Sequence, residues 1–283
     1  MKKNKIRLFD DPAVESTLTP YLRERETCPA VLVAPGGGYG NLCERAEGEP
    51  IARRFNELGF HAFVLEYRIA PHVFPAPLHD AMRAVQMIRQ NAGKWGVIPD
   101  RIAACGFSAG AHLCAMLGTI ADQVEGFNGS GEEYTINGMI LSYALLEMSG
   151  PFHISQCTTR LLGENPDPAK CRLCSPALQI SEKTPPAYIW HTFEDSALAY
   201  RSVMDFARAM IERGRSCELH IYPYGDHGMQ LGLNTLVESW SGEAADFLKF
   251  QWNVRDSNDR EIWRDYDYGR QLELSGGKYV KTE

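Results

Sequence analysis

One serine in the chain stands in a context that favours a nucleophile. Ser108 is the centre of the pentapeptide GFSAG at 106–110, which follows a short apolar run and opens a helical pattern. A serine on a tight turn between a strand and a helix has a strained backbone, and small residues two positions away on each side let the two elements approach. The amide of Ala109 would then lie at the helix N-terminus, where it can donate to a developing oxyanion. The alternative interpretation is a plain glycine-rich turn.

A serine hydroxyl needs a base to take its proton and an acid to orient that base. In α/β proteins with such an elbow, the acid and then the histidine follow in loops after later strands. His227 lies in a loop of this kind, and His191, at the end of the preceding strand, is its one serious rival. Asp195 is the preferred acid, since Glu194 lies one residue nearer the strand and Asp226 adjoins the histidine that it would have to orient. The predicted set is therefore the elbow serine with Asp195 and His227.

A glycine-rich loop follows the first predicted strand of the core. Residues 35–40 read PGGGYG, and consecutive glycines let backbone amides face a substrate oxygen without side chains in the way. A dinucleotide-binding loop is disfavoured, because Asn41 stands where its third glycine belongs and no helix starts at once. Cys171 and Cys174 form a CxxC without the second pair of a zinc site. We therefore expect no nucleotide, no other cofactor and no metal.

The elements that must position these residues alternate along the chain. From about residue 30, apolar runs alternate with helical patterns, which is typical of βαβ units and predicts an α/β fold with a mostly parallel sheet and helices on both faces. Strands are predicted at 30–34, 60–67, 101–105, 138–143, 187–191 and 218–222. Helices are predicted at 49–58, around 81–88, and at 109–120, 200–213 and 233–252. The candidate residues fall in loops at strand ends.

Two segments lack this alternation. Residues 144–186 contain several prolines and little periodicity, which is typical of a lid or binding excursion. We expect this excursion to cover the pocket, with Met148, Phe152 and His153 in contact with the substrate. Residues 253–283 form a charged tail, for which a surface extension and a dimer contact or pocket edge both stay open. The prediction is a single domain over 1–283 with its core at about 29–252.

Charge and composition narrow the class of protein. The 283 residues carry 29 Lys and Arg against 36 Asp and Glu, a formal net charge of −7, which repels nucleic acids and anionic membrane surfaces. No run reaches the ~18 apolar residues that span a bilayer, and the basic N-terminus is not followed by the apolar stretch of a secretory signal. The eight cysteines are expected to be mostly free thiols. We expect a cytoplasmic protein with a small-molecule partner, and a homo-oligomer stays open.

Several motifs, in order, resemble the bacterial acetyl-esterase and BD-FAE-like branch of the α/β-hydrolases, which are relatives of the hormone-sensitive-lipase family. The motifs are PGGGY at 35–39, EGEPIARRFNELGFHAFVLEYRIAP at 47–71, GFSAGAHL at 106–113, SPALQI at 175–180, TPPAYIWHT at 184–192 and GDHGMQLG at 225–232. The resemblance implies an α/β-hydrolase fold. It also implies the following roles: nucleophile Ser108, acid Asp195, base His227, and oxyanion amides of Gly37, Gly38 and Ala109.

The same resemblance implies a serine carboxylesterase that hydrolyses short-chain, above all acetyl, esters of carbohydrates. Tyr39, in the PGGGY motif, is expected to contact the substrate. The chain has Ala197-Leu198 where the family often has Val-Pro after the acid, and PGGGY where the lipase relatives have HGGG, so the acyl and alcohol pockets stay open. The alternatives are a peptidase of the prolyl-oligopeptidase type, which normally carries a large extra domain, and a non-catalytic small-molecule receptor on this fold.

Overall fold

The computed structural model describes residues 4–24 and 26–253. The strands in this range are β1 (Ile6–Arg7), β2 (Thr17–Tyr21), β3 (Cys28–Ala34), β4 (His61–Glu66), β5 (Val97–Phe107), β6 (Gly138–Ser142), β7 (Ala187–Thr192) and β8 (Cys217–Tyr222). The helices are α1 (Glu44–Glu47), α2 (Glu49–Glu57), α3 (Ala76–Gln90), α4 (Ala92–Trp95), α5 (Ala109–Thr119), α6 (Gly131–Tyr134), α7 (Ser155–Leu162), α8 (Pro168–Leu173), α9 (Arg201–Glu212) and α10 (Trp240–Asn253).

The strands of the described range form one eight-stranded sheet in the order β1-β2-β4-β3-β5-β6-β7-β8. All neighbouring pairs from β4 to β8 are parallel, and β2 pairs antiparallel with β1 and β4. The apolar run from Ala30 to Ala34 is buried at every residue, so both faces of β3 are covered. The predicted mostly parallel sheet is therefore confirmed.

The parallel strands bring four loops to one edge of the sheet. Because β3, β5, β7 and β8 run in the same direction, the loops that begin after Ala34, Phe107, Thr192 and Tyr222 share the carboxyl edge. Ligands of open α/β sheets bind in the crevice outside this edge. These loops contain the predicted nucleophile, acid, base and glycine segment.

The turn from β5 into α5 is packed too closely for side chains at two positions. A Cβ atom at Gly106 would lie 2.3 Å from the carbonyl oxygen of Gly110, and one at Gly110 would lie 2.1 Å from that of Ala34. Most of α5 is buried, which requires the helix to lie directly against the sheet. The close packing therefore explains why both positions of the GFSAG segment are glycine, as predicted.

A cluster of packed aromatic side chains lies beneath the carboxyl edge of the sheet. The rings of Trp190 and Trp240 stack with centroids 5.4 Å apart, and Tyr143 meets Trp190 edge-on at 5.1 Å. Both indoles are hydrogen-bonded: Nε1 of Trp190 donates to Oγ of Ser142, and Nε1 of Trp240 donates to the carbonyl oxygen of Gln230. The loop that contains Gln230 is thus fixed to the core from below.

Several features differ from the sequence prediction, among them β5, which is longer at both ends than the predicted strand at 101–105. The sheet begins before residue 29, because the short edge strands β1 and β2 join it, and β2 contains a proline that weakens its strand pattern. The last helix begins at Trp240 and not at 233, because Gly232 and Asn234 adopt positive φ angles in a series of turns. The excursion at 144–186 contains the helices α7 and α8.

The chain groups into a compact unit, Met1–Leu248, and a second unit, Lys249–Glu283. The sheet and the site described below lie in the first unit. The predicted tail at 253–283 lies, apart from Asn253, outside the described residues, and the single-domain organisation stays a prediction. No helix in the described part of the chain has the length and apolar character needed to cross a membrane.

Candidate active site

The structure brings Ser108, His227 and Asp195 into one hydrogen-bonded chain. Nε2 of His227 lies 2.9 Å from Oγ of Ser108, and Nδ1 lies 2.7 Å from Oδ2 of Asp195. Since an ionised carboxylate can only accept, Nδ1 carries the proton and donates to Asp195, and Nε2 is free to accept the hydroxyl hydrogen. The arrangement can remove a proton from the serine when its oxygen attacks an electrophile.

Asp195 is held as an anion by the turn that contains it. Its side chain is fully buried, and Oδ1 accepts hydrogen bonds from the amides of Ala197 at 2.9 Å and Leu198 at 2.7 Å. Burial raises the pKa of Asp195, but the hydrogen bonds from His227 and Leu198 outweigh burial and hold the pKa below its usual value. The carboxylate is therefore charged and aligned at neutral pH.

The two other candidate acids have different roles. Glu194 is exposed, and its Oε2 accepts a long hydrogen bond of 3.4 Å from the amide of Gly225. Oδ1 of Asp226 accepts hydrogen bonds from the amide and hydroxyl of Ser196 and from the amide of His227. These bonds, first of all those from Ser196, lower the pKa of Asp226 to about 2. Asp226 thus joins the acid and histidine loops without touching the imidazole nitrogens.

Ser108 has the backbone of a nucleophile elbow. Its φ of 52° and ψ of −118° are unusual for a residue with a side chain, and its amide donates to the carbonyl oxygen of Ser142 at 3.0 Å. The residue is half-buried and directly precedes α5. The strained turn places the hydroxyl at the helix N-terminus, above the edge of the sheet.

The glycine loop lies against this elbow. A Cβ atom at Gly36 would lie 2.7 Å from the carbonyl oxygen of Phe107 and 3.1 Å from Cβ of Ser108, so only glycine permits the approach. Gly37 and Gly38 have φ angles of 128° and 60°. Within the part of the chain that the structure describes, the amides of the three predicted oxyanion donors, Gly37, Gly38 and Ala109, have no hydrogen-bond acceptor. These amides are therefore available to a substrate oxygen.

Two of the four predicted substrate contacts are buried in the core. Tyr39 is 1% exposed, and its hydroxyl lies 2.6 Å from Nδ1 of His112. Met148 is also 1% exposed, and its amide donates to Oγ of Ser175. Neither side chain offers a surface to a substrate, so the prediction for this pair needs correction.

The other two predicted contacts lie on the excursion. Phe152 is partly exposed and its amide approaches Oε2 of Glu147 at 3.4 Å, whereas His153 is exposed and contacts the carbonyl oxygen of Gly150. These contacts stay within the excursion, and a role in substrate binding stays a prediction.

The excursion reaches the glycine loop through α7. Nη1 of Arg160 donates to the carbonyl oxygen of Gly38 at 3.3 Å. The guanidinium also occupies the space beside Gly40, where an added Cβ would lie 2.5 Å from its central carbon. The excursion therefore packs on the loop that contains two of the three predicted oxyanion donors, Gly37 and Gly38.

Two residues that contact the site were missed by the sequence reasoning. Oε2 of Glu47 accepts a hydrogen bond from the amide of Gly36, and Oε1 accepts one from the hydroxyl of Tyr143, both at 2.7 Å. The ring of Tyr143 meets the imidazole of His227 edge-on with centroids 5.0 Å apart. The only signal in the sequence was the position of Glu47 within the motif at 47–71. A glutamate is rarely buried, so its residue type gave no indication of this role.

The sheet topology, the elbow and the hydrogen-bonded Ser, His and Asp define the class of protein: the chain is an α/β-hydrolase. Within this class the chain belongs to the BD-FAE family, whose model matches residues 19–210. The matched segment contains the glycine loop, Ser108 and Asp195, and His227 lies beyond it. The family predicted from the motifs is confirmed.

Two of the curated relatives have names that refer to xylan. The chain is 34% identical over 218 residues to endo-1,4-beta-xylanase B of Butyrivibrio fibrisolvens. This alignment covers 75% of this chain and 34% of that protein. The chain is 29% identical over 235 residues to the acetylxylan esterase of Xylanibacter ruminicola. This alignment covers 82% of this chain and 47% of that protein. The chain thus spans about a third to a half of the length of these relatives.

Solved structures with the same fold match most of the length of the chain. The crystal structure of an acetyl ester-xyloside bifunctional hydrolase from Caldicellulosiruptor lactoaceticus is 35% identical with a TM-score of 0.81, and the match covers 88% of this chain and 96% of that one. An α/β-hydrolase from a Medee basin deep-sea metagenome library, MGS-M1, is 28% identical with a TM-score of 0.70. The predicted α/β-hydrolase fold is confirmed.

Proposed function

We propose that the protein is a serine carboxylesterase that removes short acyl groups, above all acetyl, from carbohydrate esters. The observation that carries the proposal is the position of His227, whose two ring nitrogens reach Ser108 at 2.9 Å and Asp195 at 2.7 Å. The reaction consumes water and needs no cofactor. The cytoplasmic location and the small-molecule partner predicted from the sequence are part of this proposal.

In the first half-reaction the serine becomes acylated. Oγ of Ser108 attacks the ester carbonyl carbon while Nε2 of His227 takes the hydroxyl proton. The carbonyl oxygen becomes an oxyanion, which the amides of Gly37, Gly38 and Ala109 stabilise. The bond to the alcohol oxygen then breaks, and the imidazolium gives its proton to the leaving alcohol. Asp195 stabilises the imidazolium during this step.

In the second half-reaction water replaces the alcohol. His227 takes a proton from the water molecule, and the resulting hydroxide attacks the acyl carbon. The oxyanion forms again at the same amides and collapses, which breaks the bond to Oγ of Ser108. The imidazolium returns its proton to the serine, and the carboxylic acid leaves.

The substrate class rests on the relatives and on the charge of the chain. An acetylxylan esterase and an acetyl ester-xyloside hydrolase are among the proteins similar to this chain. A net charge of −7 is compatible with a neutral sugar ester and unfavourable for a polyanion. A peptidase function is not favoured by any contact in the site.

A panel of esters tests this proposal. We expect the wild type to hydrolyse p-nitrophenyl acetate with a higher kcat/KM than the butyrate and octanoate esters, and to release acetate from acetylated xylo-oligosaccharides. Release of acetate is measured enzymatically for these substrates and for acetylated amino sugars, and release of ferulate is measured for feruloylated oligosaccharides as a parallel arm. A preference for an aminoacyl anilide over the acetyl ester would show a peptidase and contradict the proposal.

A further inference from the structure

A buried carboxylate connects the glycine loop with the histidine loop. Glu47, the last residue of α1, is 4% exposed. Its two oxygens accept hydrogen bonds from different parts of the site: Oε2 from the amide of Gly36 and Oε1 from the hydroxyl of Tyr143. No Lys or Arg side chain of the described residues forms an ion pair with it. A charge buried without a cation is costly and calls for a functional reason.

We propose that Glu47 is a positioning residue that sets the oxyanion amides and the catalytic imidazole relative to each other and supplies a second negative charge, besides that of Asp195, that stabilises the imidazolium. This inference rests on the proposed function, since it assigns a role within the same site. Glu47 does not touch the reacting atoms, and acts through Gly36 on one side and Tyr143 on the other.

The contact with Gly36 fixes the start of the oxyanion loop. The amide of Gly36 points at the carboxylate at 2.7 Å, and the carbonyl oxygen of Gly36 accepts the amide of Cys43 at 3.0 Å. With both backbone polar groups of Gly36 engaged, the next two amides, of Gly37 and Gly38, have a defined direction. A displaced donor loses most of its value, because a misplacement of about 1 Å can cost roughly 10²-fold in rate.

The contact with Tyr143 fixes the histidine loop. Its hydroxyl oxygen accepts the amide hydrogen of Gln230 at 3.2 Å, so its own hydrogen goes to Glu47. The Tyr143 ring packs edge-on against His227, and the residue has a φ of 36°, a conformation that its surroundings must hold. Glu47 therefore holds a strained tyrosine that contacts both the imidazole and the segment after it.

The donors around Glu47 fit an ionised carboxylate. Both groups that face its oxygens donate hydrogen bonds to them, which matches the acceptor-only oxygens of an ionised carboxylate. Burial raises the pKa of Glu47, and the hydrogen bonds from Tyr143 and Gly36 and the nearby His227 partly oppose this rise. The charge is thus retained at some cost beside the imidazole that becomes positive during the reaction.

The other titratable groups on which Glu47 acts stay neutral in the working range. Burial raises the pKa of Tyr67, Cys43 and Cys105, and burial also raises that of Tyr143. An imidazole is the group that changes charge near neutral pH. A change of charge at Glu47 is therefore expected to change the electrostatic interaction with the imidazole of His227.

The test compares Glu47→Gln with Glu57→Gln, a matched control on the exposed part of α2, in assays with p-nitrophenyl acetate. Glu47→Gln keeps the shape and removes the charge. We expect its kcat to fall at least about tenfold with little change in KM. We also expect the fall of activity on the acid side to move to lower pH, because the imidazolium loses a stabilising anion. The control keeps wild-type kinetics and the wild-type pH profile.

Stability separates this role from a structural one. Because the folded-state pKa of Glu47 is raised, its ionisation disfavours folding as the pH rises above the usual glutamate range. Glu47→Gln is therefore expected to keep or raise the Tm at pH 7.5 while it loses activity. A lower Tm with unchanged kcat and an unchanged pH profile would show a structural residue and overturn the inference.

A double-mutant cycle tests the path through the tyrosine. Tyr143→Phe removes the bridge and keeps the ring on His227. If both residues act through one connection, the double variant loses no more activity than the worse single variant, whereas additive losses contradict the connection. If Glu47→Gln does not fold, Tyr143→Phe decides, and wild-type kcat in that variant overturns the inference. An inactive wild type would instead contradict the proposed function.

Discussion

Nε2 of His191 lies 3.6 Å from Oδ2 of Asp195, the same oxygen that accepts the hydrogen bond from His227. The His191 side chain is fully buried, and this nitrogen has no hydrogen-bond partner among the described residues. Nδ1 lies 2.9 Å from both the amide and the carbonyl oxygen of Thr192, so it can either accept or donate there. A bare Nε2 would face the lone pairs of the carboxylate, so the tautomer with the proton on Nε2 is favoured. Burial lowers the pKa of His191, which keeps it neutral.

The first prediction concerns this second histidine. His191→Phe keeps a ring in the cavity and removes the N–H that points at Asp195. We expect kcat/KM for p-nitrophenyl acetate to fall about three- to tenfold, which corresponds to a loss of ~1 kcal/mol of electrostatic support for the Asp195 carboxylate. The exposed His72→Phe is the control. A variant within the error of the wild type would show that the amides of Ala197 and Leu198 suffice to hold the acid.

The second prediction separates the two aspartates beside the imidazole. Asp195→Asn removes the charge that faces Nδ1 of His227 and favours the wrong tautomer, so kcat is expected to fall on the order of 10³- to 10⁴-fold. Asp226→Asn removes the charge but keeps an oxygen that can accept from Ser196 and from the amide of His227, so a loss below about tenfold is expected. Both variants are compared in steady-state assays at pH 7.5. Equal losses would contradict the assignment of the acid.

The third prediction concerns the close packing of the elbow. An added methyl group at Gly110 meets the carbonyl oxygen of Ala34, so Gly110→Ala is expected to lower the free energy of unfolding by at least ~1–3 kcal/mol and to reduce activity. Gly242→Ala, in α10, meets no atom within 4 Å and is expected to stabilise the helix by up to about 1 kcal/mol. Urea unfolding measures both. Equal stability of the two variants would contradict the packing.

The fourth prediction concerns a buried histidine below the glycine loop. Nδ1 of His112 lies 2.6 Å from the hydroxyl of Tyr39, and Nε2 lies 2.7 Å from the carbonyl oxygen of Cys174. Burial lowers the pKa of His112 from 6.5 to about 4. A histidine whose folded-state pKa is lowered stabilises the fold above its unfolded pKa, and this contribution is lost as the pH falls from 6.5 to about 4.

We expect His112 to account for about 3 kcal/mol of the stability lost in this window. Unfolding free energies of the wild type and His112→Gln are measured between pH 7.5 and pH 4. The variant is less stable at pH 7.5 and has a shallower pH dependence, whereas the exposed His72→Gln keeps the wild-type slope. A wild-type slope in His112→Gln would contradict the assignment.

The parallel strands could be predicted because their sequences are simple. The run at 30–34 is apolar at every position, and glycine or proline ends most of the central runs, so β3, β4, β6 and β7 fall within one or two residues of the prediction. β1 and β2 were missed because edge strands need little hydrophobicity, and because β4, the strand that joins β2 to the sheet, lies about 40 residues later. The two helices of the excursion were missed because prolines obscure their short apolar patterns.

Some residues of the site could be predicted from the sequence, and others could not. Ser108, Asp195 and His227 follow strands in a fixed order, so their types and positions carried the prediction, and the structure places them in hydrogen-bond contact. Glu47 and Tyr143 could not be found in this way, because their contact joins residues 96 positions apart. Burial of a carboxylate depends on what packs around it, and no local pattern encodes that.

The central claim is that Ser108 is an acylated nucleophile, and hydrolysis of p-nitrophenyl acetate by the wild type and Ser108→Ala tests it most directly. Ser155→Ala, at the exposed start of α7, is the matched control. We expect the wild type and the control to hydrolyse the ester equally well, and Ser108→Ala to lose at least about 10⁴-fold in kcat while it remains folded. Turnover by a folded Ser108→Ala at the wild-type rate would contradict the account.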